Sequence, residues 1–453
     1  MALKVTKKII PLFVEFIVAL IIMTWCPRQM QVSMPLFYVT FSMAVISCIS
    51  YFRAKNKTNY LDFDTLFISV LFIISFFSTF FYNAYFYKYL FLGFAFDESY
   101  INYGSLVSLI GLQSYFIGSL ICDKKRLNER QHVNVSSKKL LNVSGLSICI
   151  IIGCILFIMA GGLNYYQRIY ANTEGNSSPF ITHILLFVTI FSIVLTATEY
   201  YNCSVQVDYK IKKMTIFSLL LFACMLMFVG NRTTASQIVL PIVVFYAIMR
   251  RNVGKMQLFI FLIGAIALMW IFQNVRSRRS IDAQNINIAM VFTDLTIPSR
   301  ATFVGLEYVD THGYTYGRNM MGGIVGIVPF LASIINIDTV TASSAELLTE
   351  YSFDKLKVND KFQVGLGTNV IADIFLSFGE VGVVIFMYFL GWFVCYVQRK
   401  TVRLNYYSMV VYSALVANSV FLARASYTHP LRYIVIGLLV AYLVKNMKVN
   451  AIK

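Results

Sequence analysis

MMGGIVGIVPFLASIINI, residues 320–337, is apolar enough to pass for a membrane span, and whether it is one decides how the whole chain is threaded. A crossing here would turn Arg399, Lys400, Arg403 and the C-terminal tail to the outer side of a membrane, against the preference of basic residues for the cytoplasm. The stretch also carries Gly322, Gly323, Gly326 and Pro329, which suit a segment lying on or dipping into a membrane face better than a spanning helix. We therefore read it as interfacial. It sits inside the segment from Asn274 to Asn369, the only long part of the chain that is neither an apparent span nor a short connector.

On both sides of that segment the chain alternates apolar runs of roughly 17 to 22 residues with short polar links, the length a helix needs to cross a bilayer core. Spans are expected near residues 9–25, 33–52, 63–83, 102–122, 141–161, 180–198, 214–229, 234–249, 256–273, 374–397, 406–422 and 431–446. The expectation is an all-α, polytopic membrane protein of about twelve transmembrane helices. It divides into a nine-helix N-terminal part (1–273), a large extracytoplasmic loop (274–369) and a three-helix C-terminal part (370–453). A first run that follows Lys4, Lys7 and Lys8 resembles a signal peptide, but Cys26, Pro27 and Arg28 follow it instead of a small-residue cleavage site, so an uncleaved span is expected.

Orientation comes from the links. With both termini in the cytoplasm, every inside link carries at least three Lys or Arg: Lys4 to Lys8, Arg53 to Lys57, Lys124 to Lys139, Lys210 to Lys213, Arg250 to Lys255, Arg399 to Arg403, and the tail. Short outside links carry two at most. The hydrophobic share of 58% and the charged share of 13% exclude a soluble globular domain, for which about 25% charged residues is usual. The net charge of +17 is spread over many links, which favours contact with anionic membrane lipids over nucleic acid. Eight cysteines lie in or near apolar runs and form no CxxC pair. Asn-x-Ser/Thr triplets at Asn56 and Asn134 fall on inside links and are read as chance.

Chemistry is expected on the outer side. Acidic residues within spans are nearly confined to Glu15, Asp373 and Glu380, which disfavours a proton-coupled pump. Gly230-Asn231-Arg232 forms a tight outer turn before a helix start, where a guanidinium, hydroxyls and free N–H groups meet; it reads equally as an anion site or as an interfacial snorkelling arginine. Arginine dominates the outer set: Arg168, Arg232, Arg276, Arg278, Arg279, Arg300, Arg318, Arg424 and Arg432. Its two-point geometry suits phosphate or pyrophosphate, with lipid headgroups the plainer partner for any single one. The run Asp310-Thr311-His312 through Arg318 offers a carboxylate, an imidazole and a guanidinium within a few residues, so His312 and Asp310 are candidate bases, with His429 a second imidazole. Outer aromatics such as Tyr165, Tyr170, Tyr314, Tyr316 and Tyr427 fit an interfacial belt and also a sugar ligand. No HExxH, GxSxG or GxxxxGK[ST] pattern is present, so a zinc protease, serine hydrolase or P-loop ATPase has no support.

Three features together resemble the Wzy-type bacterial O-antigen and polysaccharide repeat-unit polymerases. They are the Gly230-Asn231-Arg232 turn, the phrase Tyr314-Thr315-Tyr316-Gly317 leading to Gly322 and Pro329, and the Gly-rich phrase GLGTNVIADIFLSFGEVGVVIFMYFLGWF, residues 365–393. The resemblance implies a multi-pass protein of the bacterial inner membrane. It implies a glycosyltransferase that polymerises undecaprenyl-pyrophosphate-linked oligosaccharide at the periplasmic face, with a chain-length regulator and a flippase as candidate partners. Pyrophosphate leaves readily once its charge is held. The candidate residues for that are Arg232, Arg278, Arg279, Arg318 and Arg424. His312 or Asp310 would take the acceptor proton, with Asp294 and Asp373 behind them, and neither a metal nor another cofactor is invoked. An O-antigen ligase shares the donor and the outer loop; a lipid-linked oligosaccharide flippase would need a polar cavity that the scarcity of charge in spans argues against. A scaffold role is the plainest remaining reading.

Overall fold

A computed structural model describes residues 2–77, 97–124, 140–170, 179–206, 208–249, 252–260, 263–264, 297–327, 343–356 and 365–446. Among the described residues every regular element is helical. In order, the first half runs α1 (Ala2–Trp25), α2 (Met34–Lys55), α3 (Phe63–Phe72), α4 (Ile101–Lys124), α5 (Ser144–Met159), α6 (Gly162–Tyr170), α7 (Pro179–Val205), α8 (Lys213–Val229) and α9 (Arg232–Met249). The second half runs α10 (Ser299–His312), α11 (Arg318–Val325), α12 (Ser344–Leu356), α13 (Val370–Val402), α14 (Tyr406–Ala417), α15 (Ser419–Leu422) and α16 (Leu431–Asn446). Four helices, α2, α4, α7 and α13, are long and apolar enough to cross a membrane, and several shorter apolar helices accompany them.

Local chemistry sets the boundaries. α2 ends where Asn56 adopts a left-handed backbone. Asp62 starts α3 by accepting from the Thr65 N–H at 3.0 Å. Gly230, at φ 86°, closes α8, and Asn231 opens α9 at once by accepting from the Thr234 N–H at 3.1 Å, so two helices join through a two-residue turn. Asn418 interrupts the path between α14 and α15 and is held there by its Nδ2 bond to the Ala414 carbonyl at 2.8 Å.

The frame is the pair α4 and α13, the most extensive helix contact among the described residues. Gly104, Gly111 and Gly118 recur every seven residues along α4. A Cβ on Gly111 would meet Ile371 at 2.6 Å, one on Gly118 would overlap the Tyr388 carbonyl, and one on Gly391 would overlap the Tyr115 carbonyl. Small residues at such spacing let two backbones touch where no hydrophobic force separates helix from lipid. Tyr103 meets Glu380 near the start of both helices and Arg399 donates to the Cys122 carbonyl near their ends, so the pair runs parallel.

At the far end, where α2 and α4 finish, two ion pairs are buried: Lys55 with Asp64 at 2.5 Å and Lys57 with Asp62 at 2.6 Å. Tyr51 and Tyr115 also donate to Asp64, at 2.9 and 2.6 Å. Charges removed from water persist only when paired and bonded in this way.

The described parts of the segment from Asn274 to Asn369 are largely helical. α10 is buried along most of its length, from Ser299 to Glu307, and packs on α13 and α12. Asn369 ties this join together: its Oδ1 accepts from the Ala372 N–H at 2.9 Å, and its Nδ2 donates to the Pro298 carbonyl at 2.7 Å. Within residues 320–337, the described part forms α11 and a following turn, with α11 lying against α13 and α16.

Candidate active site

The end of the bundle at which α4 and α13 begin gathers two groups of polar side chains. The first centres on Arg28, in the link between α1 and α2. Its Nη1 donates to Asp310 Oδ1 at 2.7 Å, and its Nη2 to Glu380 Oε1 at 2.8 Å and to the Tyr314 hydroxyl at 3.2 Å. Burial of the guanidinium works against its charge, but Tyr314, Asp310 and Glu380 overcome this and hold Arg28 firmly protonated. Tyr100 donates to the other Asp310 oxygen at 3.0 Å, and Tyr103 donates to Glu380 Oε1 at 2.6 Å. Burial, with Asp310 nearby, pushes the Tyr100 hydroxyl up to about 12.

The second group is basic. Arg232 opens α9, and Gln237, farther along that helix, donates to Asn418 Oδ1 at 2.9 Å and to the Tyr433 hydroxyl at 3.5 Å. Arg432 stacks over the same Tyr433 ring at 5.1 Å, and His429 lies 5.7 Å from it between ring centroids. Arg424 lies in the same connection, its N–H bonded to the Phe421 carbonyl at 3.0 Å. Arg318 opens α11, whose Gly323 seats so closely on Thr428 that a Cβ there would overlap it. Gln237 of α9 and Gly323 of α11 thus both reach the segment around Thr428 and Tyr433 that leads into α16, and this meeting point is the basic corner.

Asp373 bridges α11, α13 and that corner. Its Oδ1 accepts from Asn319 Nδ2 at 2.9 Å and its Oδ2 from the Tyr427 N–H at 2.8 Å. With no exposed surface and both oxygens occupied, Asp373 clamps three segments and is not placed to accept a substrate proton.

The Asp310–His312 pair expected from the sequence does not form a dyad. Two residues apart on α10, the side chains leave the helix about 200° apart. Asp310 turns to Arg28 and Tyr100, whereas His312 stacks on Tyr308 at 4.7 Å and bonds the Thr311 hydroxyl through Nδ1 at 2.7 Å. His312 stays exposed. Arg276, Arg278, Arg279 and Asp294 lie outside the described residues. Arg232 and Arg318 have no hydrogen-bond or ion-pair partner for their guanidinium groups among the described residues.

Arg28 was not singled out by the sequence, and Glu380 was noted there only as a charge within a span. The partners of Arg28 lie 282 and 352 residues away along the chain, so no local pattern marks them. One signal was available: Gly379, which takes φ 63° and ψ −156° in the middle of α13, precedes Glu380 directly and kinks the helix at this carboxylate.

The family model for the O-antigen polysaccharide polymerase Wzy matches residues 8–450, nearly the whole chain. No curated protein and no solved structure matches it.

Proposed function

Given that this chain belongs to the O-antigen polysaccharide polymerase Wzy family, we propose that it transfers a growing glycan from undecaprenyl pyrophosphate onto the terminal sugar of an incoming lipid-linked repeat unit, at the periplasmic face of the bacterial inner membrane. The family match supports polymerisation over ligation to a lipid core or lipid flipping. Twelve crossings with both termini in the cytoplasm put the Arg28 corner and the basic corner on the periplasmic side, where such substrates are presented. A chain-length regulator and a flippase are the partners this role implies.

One observation carries the placement of the pyrophosphate. In the basic corner, Nε2 of His429 and Nε of Arg432 are buried and hydrogen-bond to nothing among the described residues. Arg432 Nε–H is a donor, and an unsatisfied buried donor costs about 1–3 kcal/mol, which an anionic ligand would relieve. Arg232 at the start of α9, Arg318 at the start of α11 and Arg424 in the connection into α16 are the further arginines of these segments, and guanidinium groups offer the two-point donors that phosphate takes. Guanidinium groups then hold the developing charge of the leaving pyrophosphate, as a bound metal does in other transferases. Arg278 and Arg279 belong to the same proposal by position in the sequence. His312 and Asp310 remain in it as residues of the acceptor side.

The surface polysaccharide of a strain lacking this gene tests the reading. Chains capped at a single repeat unit, restored to a ladder by the wild type and not by Arg232→Ala or Arg432→Ala, are expected. An unchanged ladder in the deletion strain would refute polymerase activity on that glycan. Loss of every surface unit, with lipid-linked units trapped inside, would assign the flippase role instead.

A further inference from the structure

The charge balance of the Arg28 corner is opposite to that of the basic corner. One cation faces two carboxylates there, Asp310 and Glu380, and three tyrosine hydroxyls complete the bonding, from Tyr100, Tyr103 and Tyr314. Such a group repels phosphate and suits sugar hydroxyls, which both donate and accept.

The two carboxylates are not equivalent. Asp310 has both oxygens engaged, Oδ1 by Arg28 and Oδ2 by Tyr100. Glu380 receives its side-chain donors, Arg28 and Tyr103, on Oε1, and its own backbone N–H also bonds the carboxylate. No side chain among the described residues donates to its Oε2, and the side chain keeps 20% of its surface exposed. It is therefore held by side chains at one oxygen and free of them at the other.

The backbone is built to present it. Gly379 occupies a region that disfavours side chains, and a Cβ there would stand 2.8 Å from the Tyr314 hydroxyl, so only glycine lets Tyr314 close on the kink. Strain of this kind inside a long helix, one residue before a half-open carboxylate, is characteristic of functional positions.

We infer that the Arg28 corner is the acceptor-sugar site, with Glu380 Oε2 the group that receives the acceptor hydroxyl proton. This rests on the polymerase reading above. As the acceptor oxygen bonds to the anomeric carbon of the donor, the bond from that carbon to the pyrophosphate oxygen breaks and its electron pair leaves with the pyrophosphate. The hydroxyl proton passes to Glu380 Oε2 and from there to water. Tyr103 and Arg28 act as positioning residues that keep Oε1 fixed.

The test uses full-length protein in detergent with a synthetic lipid-linked repeat unit as both donor and acceptor. Glu380→Gln should lower kcat by about a hundredfold or more with KM changed little, and the Glu380→Ala variant should regain activity with added formate. Tyr103→Phe removes one donor from Oε1, so the acidic limb of the pH–rate profile should move to higher pH while Arg28, Tyr314 and Asp310 continue to face the carboxylate. Glu380→Gln that keeps more than about a third of wild-type kcat overturns the assignment, and so does an acidic limb unmoved in Tyr103→Phe. The Tyr103→Phe profile decides the matter where the Glu380 variants do not fold. Wild-type protein that fails to extend the lipid-linked unit overturns the polymerase reading itself, whereas a wild type that extends it beside an active Glu380→Gln overturns only the role of Glu380.

Discussion

The Cα of Gly118 in α4 rests directly on the backbone carbonyl of Tyr388 in α13, and no side chain fits between them. Gly118→Ala must push the two helices apart along a contact that frames both polar corners. A loss of about 1–3 kcal/mol is expected, read as a lower melting temperature in detergent. Gly145→Ala, with nothing within 4 Å of its added Cβ, is the matched control and should melt like the wild type. Equal behaviour of the two variants would show that the close approach carries no stability.

Asp64 and Lys55 are buried together at the far end, with 1% and 8% of their side-chain surfaces exposed. Asp64→Leu leaves a buried ammonium group with its nearest counter-charge gone, at a cost of about 3–5 kcal/mol. Adding Lys55→Met should recover part of that loss, because the pair matters less than the orphaned charge. Thermal melting of the single and double variants checks the order, and a double variant less stable than the single one would contradict it.

Asn369 performs two tasks with two atoms. Asn369→Asp keeps the oxygen that caps α13 but loses the donor to Pro298, while Asn369→Ala loses both. The cap alone is worth about 1 kcal/mol, so the alanine variant should melt below the aspartate variant. Equal melting would mean that the bond to Pro298, lost in both variants, and not the cap, holds the join; a reversed order would mean that an aspartate carboxylate set against the Pro298 carbonyl costs more than the cap returns.

Burial, and then Arg432, push His429 down to about 3 from an ordinary 6.5. The folded chain therefore keeps this ring neutral where the unfolded chain takes up a proton. Stability is complete above pH 6.5 and declines as pH falls from there toward 3, by about 1.4 kcal/mol for each unit. His429→Gln should lose less stability than the wild type between pH 7 and pH 5, measured as the difference in melting temperature. Identical losses in the two proteins would rule out His429 as the source.

The helices were legible because an apolar run and a basic link are local signals. α2, α5, α8 and α16 begin and end within a few residues of the expected spans. The tertiary site was not legible in the same way. Arg28 looks like one more interfacial arginine until the fold brings Asp310 and Glu380 to it. His312 and Asp310 drew attention by their closeness in sequence, yet a helix turns residues at that spacing away from each other. The seven-residue recurrence of Gly104, Gly111 and Gly118 was visible all along, but its meaning depends on Phe303, Val383 and Tyr388, far along the chain.

The parallel pairing of α4 with α13 also imposes a parity on the chain. If both helices cross the bilayer, their common sense requires the chain between residues 124 and 370 to traverse it an odd number of times. A single crossing can be neither gained nor lost in that interval; any change comes in twos. Reporter fusions placed after α4 and after α13 must therefore light up on the same side, whatever the full tally of crossings.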